Sequence, residues 1–219
     1  MDEKSLKFLA NQLRKPDGEP GRQVGEKMNE SNLYINKYTI EELQVASGDK
    51  ILEIGMGNGF FIKEIIFSAD SVEYFGCDFS ETMIAEASTI NKQLIADGSV
   101  HLHLAAAEAL PFDNEIFDKV FTVNTIYFWE DLEATFKELK RVLKPGGRLL
   151  ISIRPESSMQ KYPFTKYGFR LFSSESLSDV LEQHGFTVQK STQKLEPEQV
   201  FSDEKVVVET LIVAALKKV

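Results

Sequence analysis

Cysteine is almost missing: Cys77 stands alone in 219 residues. One thiol excludes an intrachain disulfide and a cysteine-built metal cluster, and it suits a reducing compartment. Positive charge is scarce as well, with 25 lysines and arginines against 34 aspartates and glutamates and a formal net charge of -9. An acidic surface repels phosphate backbones and argues against nonspecific nucleic-acid binding. No apolar run approaches the roughly 20 residues needed to cross a bilayer. The opening "MDEKSLKFLANQLRKPDGEP" lacks the continuous apolar stretch of a secretory signal. These shortages lead to the expectation of a cytoplasmic protein with neither membrane nor nucleic acid as partner. Apolar residues, by contrast, are plentiful. A content of 42% hydrophobic and 27% charged residues describes a globular chain, long enough for one domain with a sizeable core.

The order of the segments narrows the fold. Pro16, Gly18, Pro20, Gly21 and Gly25 give the first 25 residues the signals of a loop-like arm. Ser31 or Asn32 then caps a helix carrying Ile35, Tyr38, Ile40 and Leu43, ending near Gly48. From residue 51 strands and helices alternate. "KILEIG" reads as a strand, "FFIKEIIFSA" as a helix, and "VEYFGCD" as a second strand followed by a helix from Ser80. "VHLHLA" and "DKVFTVN" make a third and a fourth strand, the fourth nearly all apolar and therefore central. A helix over 131–143, with Leu132, Phe136, Leu139 and Leu143 at helical spacing, is stopped by "KPGG", and "RLLISI" is a fifth strand. Such alternation means a parallel sheet with helices on both faces. After a helix over 174–184, "FTVQKSTQKL" and "KVVVETLIVAALKKV" follow without a helix between them, which predicts an antiparallel pair. His101 and His103 alternate along the third strand, which places it at a wet edge. With no further histidine or acidic partner nearby, they are not expected to hold a metal.

"ILEIGMGNGFF", residues 51–61, sets Gly55, Gly57 and Gly59 directly after the first strand. A strand that turns into a helix through glycines is where an α/β sheet binds nucleotides. A phosphate-cradling loop needs Gly-Lys-Ser/Thr where Phe60, Phe61 and Ile62 stand, and the dinucleotide fingerprint needs glycine at Phe60. What remains is Glu53-x-Gly55-x-Gly57-x-Gly59. With "YFGCDFSETMIAEA", "AEALPFDNEIFDKVFTVNTIYFW" and "LKRVLKPGGRLLIS" following in order, the chain resembles the Rossmann-like (class I) S-adenosylmethionine-dependent methyltransferases, small bacterial type, from about residue 40 to 190.

The resemblance implies a seven-stranded, mostly parallel sheet with helices on both faces and an antiparallel C-terminal strand, and S-adenosylmethionine as cofactor. It assigns Asp78 to the ribose hydroxyls and Glu53 to the loop or the methionine end. Gly55, Gly57, Gly59, Phe79, Met83, Ala107, Glu108 and Asn124 complete the expected cofactor site. The sequence departs from the family at Ala106, where an acidic residue usually meets the adenine. The cofactor has no pyrophosphate and carries a sulfonium and an ammonium, so an acidic surround suits it.

Tyr127 and Trp129, with Tyr38, are the expected substrate wall. No general base stands out: Tyr127 and Tyr34 are the hydroxyl candidates for catalysis, and His184 reads as a helix-end charge. Some 20 residues, "RPESSMQKYPFTKYGFRLFS", form a flap with Phe164, Tyr167 and Phe169. Residues 1–45 are then an arm and helix covering the active site, and 46–219 the methyltransferase domain. The expected function is methyl transfer to a small-molecule acceptor by a monomer or homodimer. A non-catalytic cofactor-binding scaffold or sensor, an NAD-dependent oxidoreductase and a macromolecule methyltransferase are the alternatives.

Overall fold

The computed structural model describes residues 1–201 and 204–218. Its spine is the series of apolar stretches after residue 49, which pair as parallel strands. They are β1 (Lys50–Ile54), β2 (Glu73–Asp78), β3 (Val100–Leu104), β4 (Phe117–Val123) and β5 (Leu143–Ile153). Two further strands, β6 (Phe186–Leu195) and the C-terminal β9 (Glu209–Lys217), complete a sheet of order β3-β2-β1-β4-β5-β9-β6. Only β9 runs against its neighbours, pairing antiparallel with both β5 and β6. The sequence expected one strand for 205–219. Instead β7 (Gln199–Phe201) and β8 (Glu204–Val206) form a separate hairpin before β9. As expected, β3 is an edge strand, with His101 stacked on Phe75 at 4.6 Å and His103 against Phe112 at 4.9 Å.

The two-residue period of a strand sends alternate side chains to opposite faces. On one face Leu52, Val120 and Ile151 meet Phe136 and Leu139 of α7 (Leu132–Val142) and Leu177 and Leu181 of α9 (Ser174–Gln183). On the other, Ile51, Phe121 and Leu150 meet Ile35 and Leu43 of α3 (Leu33–Leu43), Ile62 and Ile65 of α4 (Ile62–Ile66) and Ala87 of α5 (Glu81–Ile90). Two short helices, α6 (Lys92–Ala96) and α8 (Glu156–Met159), fill connections. Successive strands run one way from β1 to β3 and the other way from β4, so the sheet has a switch point between β1 and β4. Ligands bind at the carboxyl ends of strands at such a point.

The arm departs from its sequence reading. Residues expected to loop form two helices, α1 (Glu3–Arg14) and α2 (Gly18–Ser31), with the break at Pro16. The glycines taken as turn signals serve close packing inside α2. A β-carbon on Gly21 would lie 2.5 Å from the Pro16 carbonyl carbon, and one on Gly25 would meet Met83 at 3.1 Å. Of the two, α1 was legible in the spacing of Leu6, Leu9, Ala10 and Leu13, which the prolines and glycines beyond it obscured. Among the described residues no helix is long and apolar enough to cross a membrane.

Gly21→Ala should therefore destabilise the protein by about 1–3 kcal/mol, since the clash is with backbone that cannot move aside. Denaturant unfolding checks this, and an unchanged midpoint would contradict the close approach.

Candidate active site

The loop after β1 takes its shape from its glycines. Gly55, Gly57 and Gly59 all have positive φ, between 59° and 71°, a region that side chains disfavour. Two of them also admit no β-carbon: at Gly55 it would overlap Thr125 at 2.2 Å, and at Gly59 it would meet Ile62 at 2.8 Å. Gly57 is different. A β-carbon there would meet nothing within 4 Å, so bare backbone faces open space.

That space is a cleft of about 400 Å³. Gly55, Gly57, Asp78, Phe79, Met83, Ala107, Glu108 and Asn124, all named from sequence as cofactor residues, line it. Ala106 lines it too. Glu53 and Gly59 line a smaller adjoining cavity that shares Met28, Gly55, Gly57, Met83 and Val123 with the first. Trp129 reaches the main cleft from the far side.

Asp78 ends β2 and is 6% exposed. Its Oδ2 accepts the Gly57 N–H at 3.0 Å and its Oδ1 the Ser80 N–H at 2.9 Å. One carboxylate thus fixes the glycine loop and the entry to α5 together. A carboxylate offers about four acceptor positions, more than these N–H groups fill, which leaves capacity for a ligand hydroxyl. Burial pushes its pKa up to about 6 despite those N–H groups. Glu53, pointing to the α3 side of β1, is 6% exposed and accepts the Tyr74 hydroxyl at 2.5 Å. Burial, with a contribution from Asp78, raises it to about 7.

Three groups of residues expected from the sequence at the site lie apart from the two cavities. Tyr127 lies within a 3₁₀ turn over Ile126–Phe128 and is 3% exposed. Its hydroxyl donates to the Arg154 carbonyl at 2.8 Å and accepts the Arg154 N–H at 2.7 Å. It is buried, burial pushes its pKa up, and it lines neither cavity, so it stands apart from the cleft where the sequence expected it. The tight turn sends the next side chain, Phe128, into the cleft instead. Tyr34 and Tyr38 also lie outside both cavities. They face each other at 6.4 Å, with Lys194 over the Tyr38 ring. The flap aromatics likewise miss the cleft: Phe169 packs on Phe128 at 4.6 Å and so backs the wall, while Lys7 of α1 sits over Tyr167. His184 ends α9 with its ring against Phe136.

The contacts by which the N-terminal arm meets the cleft were not named from the sequence. Leu13 and Arg14 of α1, Pro16 between the helices and Met28 of α2 line the cleft, and Arg14 pairs with Glu130 across the mouth. The Ser80 hydroxyl bonds the Pro16 carbonyl, and the Gly18 N–H donates to Thr82 at 3.1 Å, which seats the cover on α5. Asn124, at the end of β4, holds the strained lip. It has φ 58°, accepts the Arg154 N–H at 3.2 Å and donates to Asn32 at 3.2 Å. Arg154 in turn pairs with buried Glu196 at 3.0 Å and donates to the Ser31 carbonyl, tying α2 to the sheet. Among the described residues no cluster of three His, Cys, Asp or Glu side chains could hold a metal.

Comparison with known proteins agrees with this architecture. Residues 52–151 match the family model described as a methyltransferase domain. An uncharacterized methyltransferase of Bacillus subtilis, YdaC, is 32% identical over 127 residues, 58% of this chain and 68% of that protein. A ubiquinone/menaquinone biosynthesis C-methyltransferase of Geotalea daltonii is 31% identical over 120 residues, covering 52% of this chain and 49% of its own length. Among solved structures, a putative methyltransferase from a complex with the Haloferax volcanii Trm112 activator superposes with a TM-score of 0.76. It is 17% identical, and the match covers 89% of this chain and 93% of that one.

Glu53 gives a stability test. Its folded pKa of about 7 exceeds the ordinary 4.5, so the native state holds the proton more tightly than the unfolded chain. The associated stability is full below pH 4.5 and is lost as pH rises through 7, about 3 kcal/mol in all. Glu53→Gln, which keeps an acceptor for Tyr74, should gain on the parent over that window in denaturant melts. A stability difference constant between pH 4.5 and 8 would contradict the burial argument.

Proposed function

We propose, since the chain belongs to the S-adenosylmethionine-dependent methyltransferases, that it binds S-adenosylmethionine in this cleft and methylates a small-molecule acceptor. What carries the reading is the bare Gly57 backbone beside Asp78 at the switch point. A diol there gains two charge-assisted hydrogen bonds, and a flat nucleoside meets no side chain on the loop. A phosphate-bearing cofactor fits poorly. Among the described residues the only cation lining the main cleft is Arg14, which is engaged with Glu130. The buried carboxylates of Glu53 and Asp78 favour a positively charged ligand instead.

When bound, S-adenosylmethionine supplies an electrophilic methyl group on a sulfonium. The chain's part is to bind, orient and exclude water. Leu13, Pro16, Met28, Phe128 and Trp129 make an apolar enclosure in which an acceptor is held against the cofactor. The α1–α2 cover supplies one side of it. Of the four carboxylates lining the main cleft, Asp78 holds backbone N–H groups, Glu130 pairs with Arg14, Asp131 caps α7 through the Ala134 N–H, and Glu108 is assigned to the cofactor. The proposed catalysis is therefore by positioning, without a dedicated base, which suits acceptors that arrive as nucleophiles. A cleft of about 400 Å³ and a net charge of -9 favour a small molecule over a nucleic acid. The Geotalea daltonii relative, named for ubiquinone and menaquinone biosynthesis, supports the same class.

Production of S-adenosylhomocysteine with a panel of amine, thiol and carbon acceptors tests the activity. Turnover with a small acceptor is expected, and turnover with RNA or protein alone would overturn the acceptor class. Asp78→Ala should weaken S-adenosylhomocysteine binding by about 1–3 kcal/mol in titration calorimetry. Unchanged affinity would remove Asp78 from the site.

A further inference from the structure

Charge is not spread evenly over the chain. Helical spacing places Lys4, Lys7, Phe8, Asn11, Arg14 and Lys15 of α1 on one stripe. All six are exposed, Phe8 at 53%. The opposite side carries Leu6, Leu9, Ala10 and Leu13, of which Ala10 is buried and Leu13 lines the cleft. The stripe also borders the cleft, since Lys15 sits over the Phe79 ring at 5.4 Å and Arg14 reaches the mouth. Beside it lies the flap. Its 3₁₀ turn over Pro163–Lys166 packs against α1, and Lys7 stands over the Tyr167 ring at 5.4 Å. Residues 157–174 contain no aspartate or glutamate and add Lys161, Lys166 and Arg170, all exposed. Seven of the chain's 25 lysines and arginines thus gather on this side of the cleft, which leaves 18 to face the chain's 34 carboxylates.

We propose that this face, the outward stripe of α1 with the neighbouring flap, docks the protein on an anionic lipid bilayer and sets the mouth of the cleft beside the membrane surface. The docking goes beyond the function proposed above and needs no property of methyl transfer. Few carboxylates answer the seven cations. Glu3 pairs with Lys7 at 2.7 Å and Glu130 pairs with Arg14, but these side chains are exposed, where such pairs are weak and exchange readily. Among the described residues Lys4, Lys161, Lys166 and Arg170 have no carboxylate partner. Each lysine or arginine held near an anionic bilayer raises affinity about fivefold. Phe8, set among them, adds an apolar anchor for the headgroup layer. The apolar side of α1 is already turned to the protein, so the contact is shallow and salt-sensitive, not an insertion of the helix. Shape and charge favour lipid over nucleic acid. The face is the outer side of a helix, not a groove, and acidic surface surrounds it. A planar bilayer touches the basic face alone, whereas a nucleic acid long enough to follow it would meet the carboxylates beyond. A net charge of -9 averages this patch away, which is why the composition gave no sign of it.

Flotation of the whole chain, without cofactor, on vesicles of phosphatidylcholine containing one-third phosphatidylglycerol tests the proposal. The protein is expected to float with these vesicles at low salt. It should stay behind with pure phosphatidylcholine, and also at about 0.5 M salt, where charges are screened within a few ångströms. Lys4→Gln and Lys166→Gln should each weaken binding about fivefold, and Phe8→Ser about tenfold. Lys92→Gln, which removes the same charge from α6, should bind like the parent. All four side chains are exposed, so thermal melts of the variants should match the parent and keep folding out of the comparison. Failure to float on the anionic vesicles would overturn the proposal, as would equal weakening by Lys92→Gln. Binding of a single-stranded RNA oligonucleotide through Lys4 and Lys166, with no flotation, would overturn it by assigning the face to nucleic acid.

Discussion

The Asp78 carboxylate is the tie on which the site depends. It accepts the Gly57 N–H from one loop and the Ser80 N–H from the next, so the ends of β1 and β2 are held at a fixed distance by one buried group. It acts together with the Gly55 and Met56 N–H groups, which donate to the Cys77 carbonyl, in holding the positive-φ loop. Ser80 then extends the same tie outward, since its hydroxyl caps α5 through the Met83 N–H and also bonds the Pro16 carbonyl of the cover. Sheet, loop, helix and cover thus meet within three residues of chain.

A second tie closes the opposite side of the cleft. Arg154, at the end of β5, joins Asn124 and Tyr127 of the β4 lip to the Ser31 carbonyl of α2, and its charge is met by Glu196 next to Thr210. A buried ion pair of this kind adds little net stability compared with apolar packing, but losing one partner leaves a charge uncompensated and is costly. Its structural role is registration: it sets where the N-terminal cover sits over the strand ends. The raised pKa values of Glu53 and Asp78 follow from the same enclosure. Burial that suits a cationic ligand makes the empty site electrostatically uncomfortable, as binding sites often are.

Much of this was legible in the sequence. Each strand of the parallel half had an apolar core between turn signals, and the Gly55-Gly57-Gly59 spacing together with Asp78 drew the cofactor side of the cleft. The edge position of β3 followed from its alternating histidines. Elsewhere, local signals misled. Gly21 and Gly25 read as loop because a sequence does not show that a neighbouring backbone occupies the space of a side chain. Tyr127 and Phe128 are adjacent, and only the pitch of a three-residue 3₁₀ turn decides which one faces the cleft. The asparagines of α2 and α3 come together with Glu53 only once those helices fold over the sheet, a tertiary fact with no periodicity of its own.

The central claim is that exposed loop backbone and the Asp78 carboxylate grip one nucleoside at the switch point. A crystal structure grown with S-adenosylhomocysteine tests it most directly. The account predicts density in the 400 Å³ cleft with both sugar hydroxyls on Asp78 and the nucleoside against Gly57. Density elsewhere, or a cleft still vacant with the ligand at millimolar concentration, would contradict it.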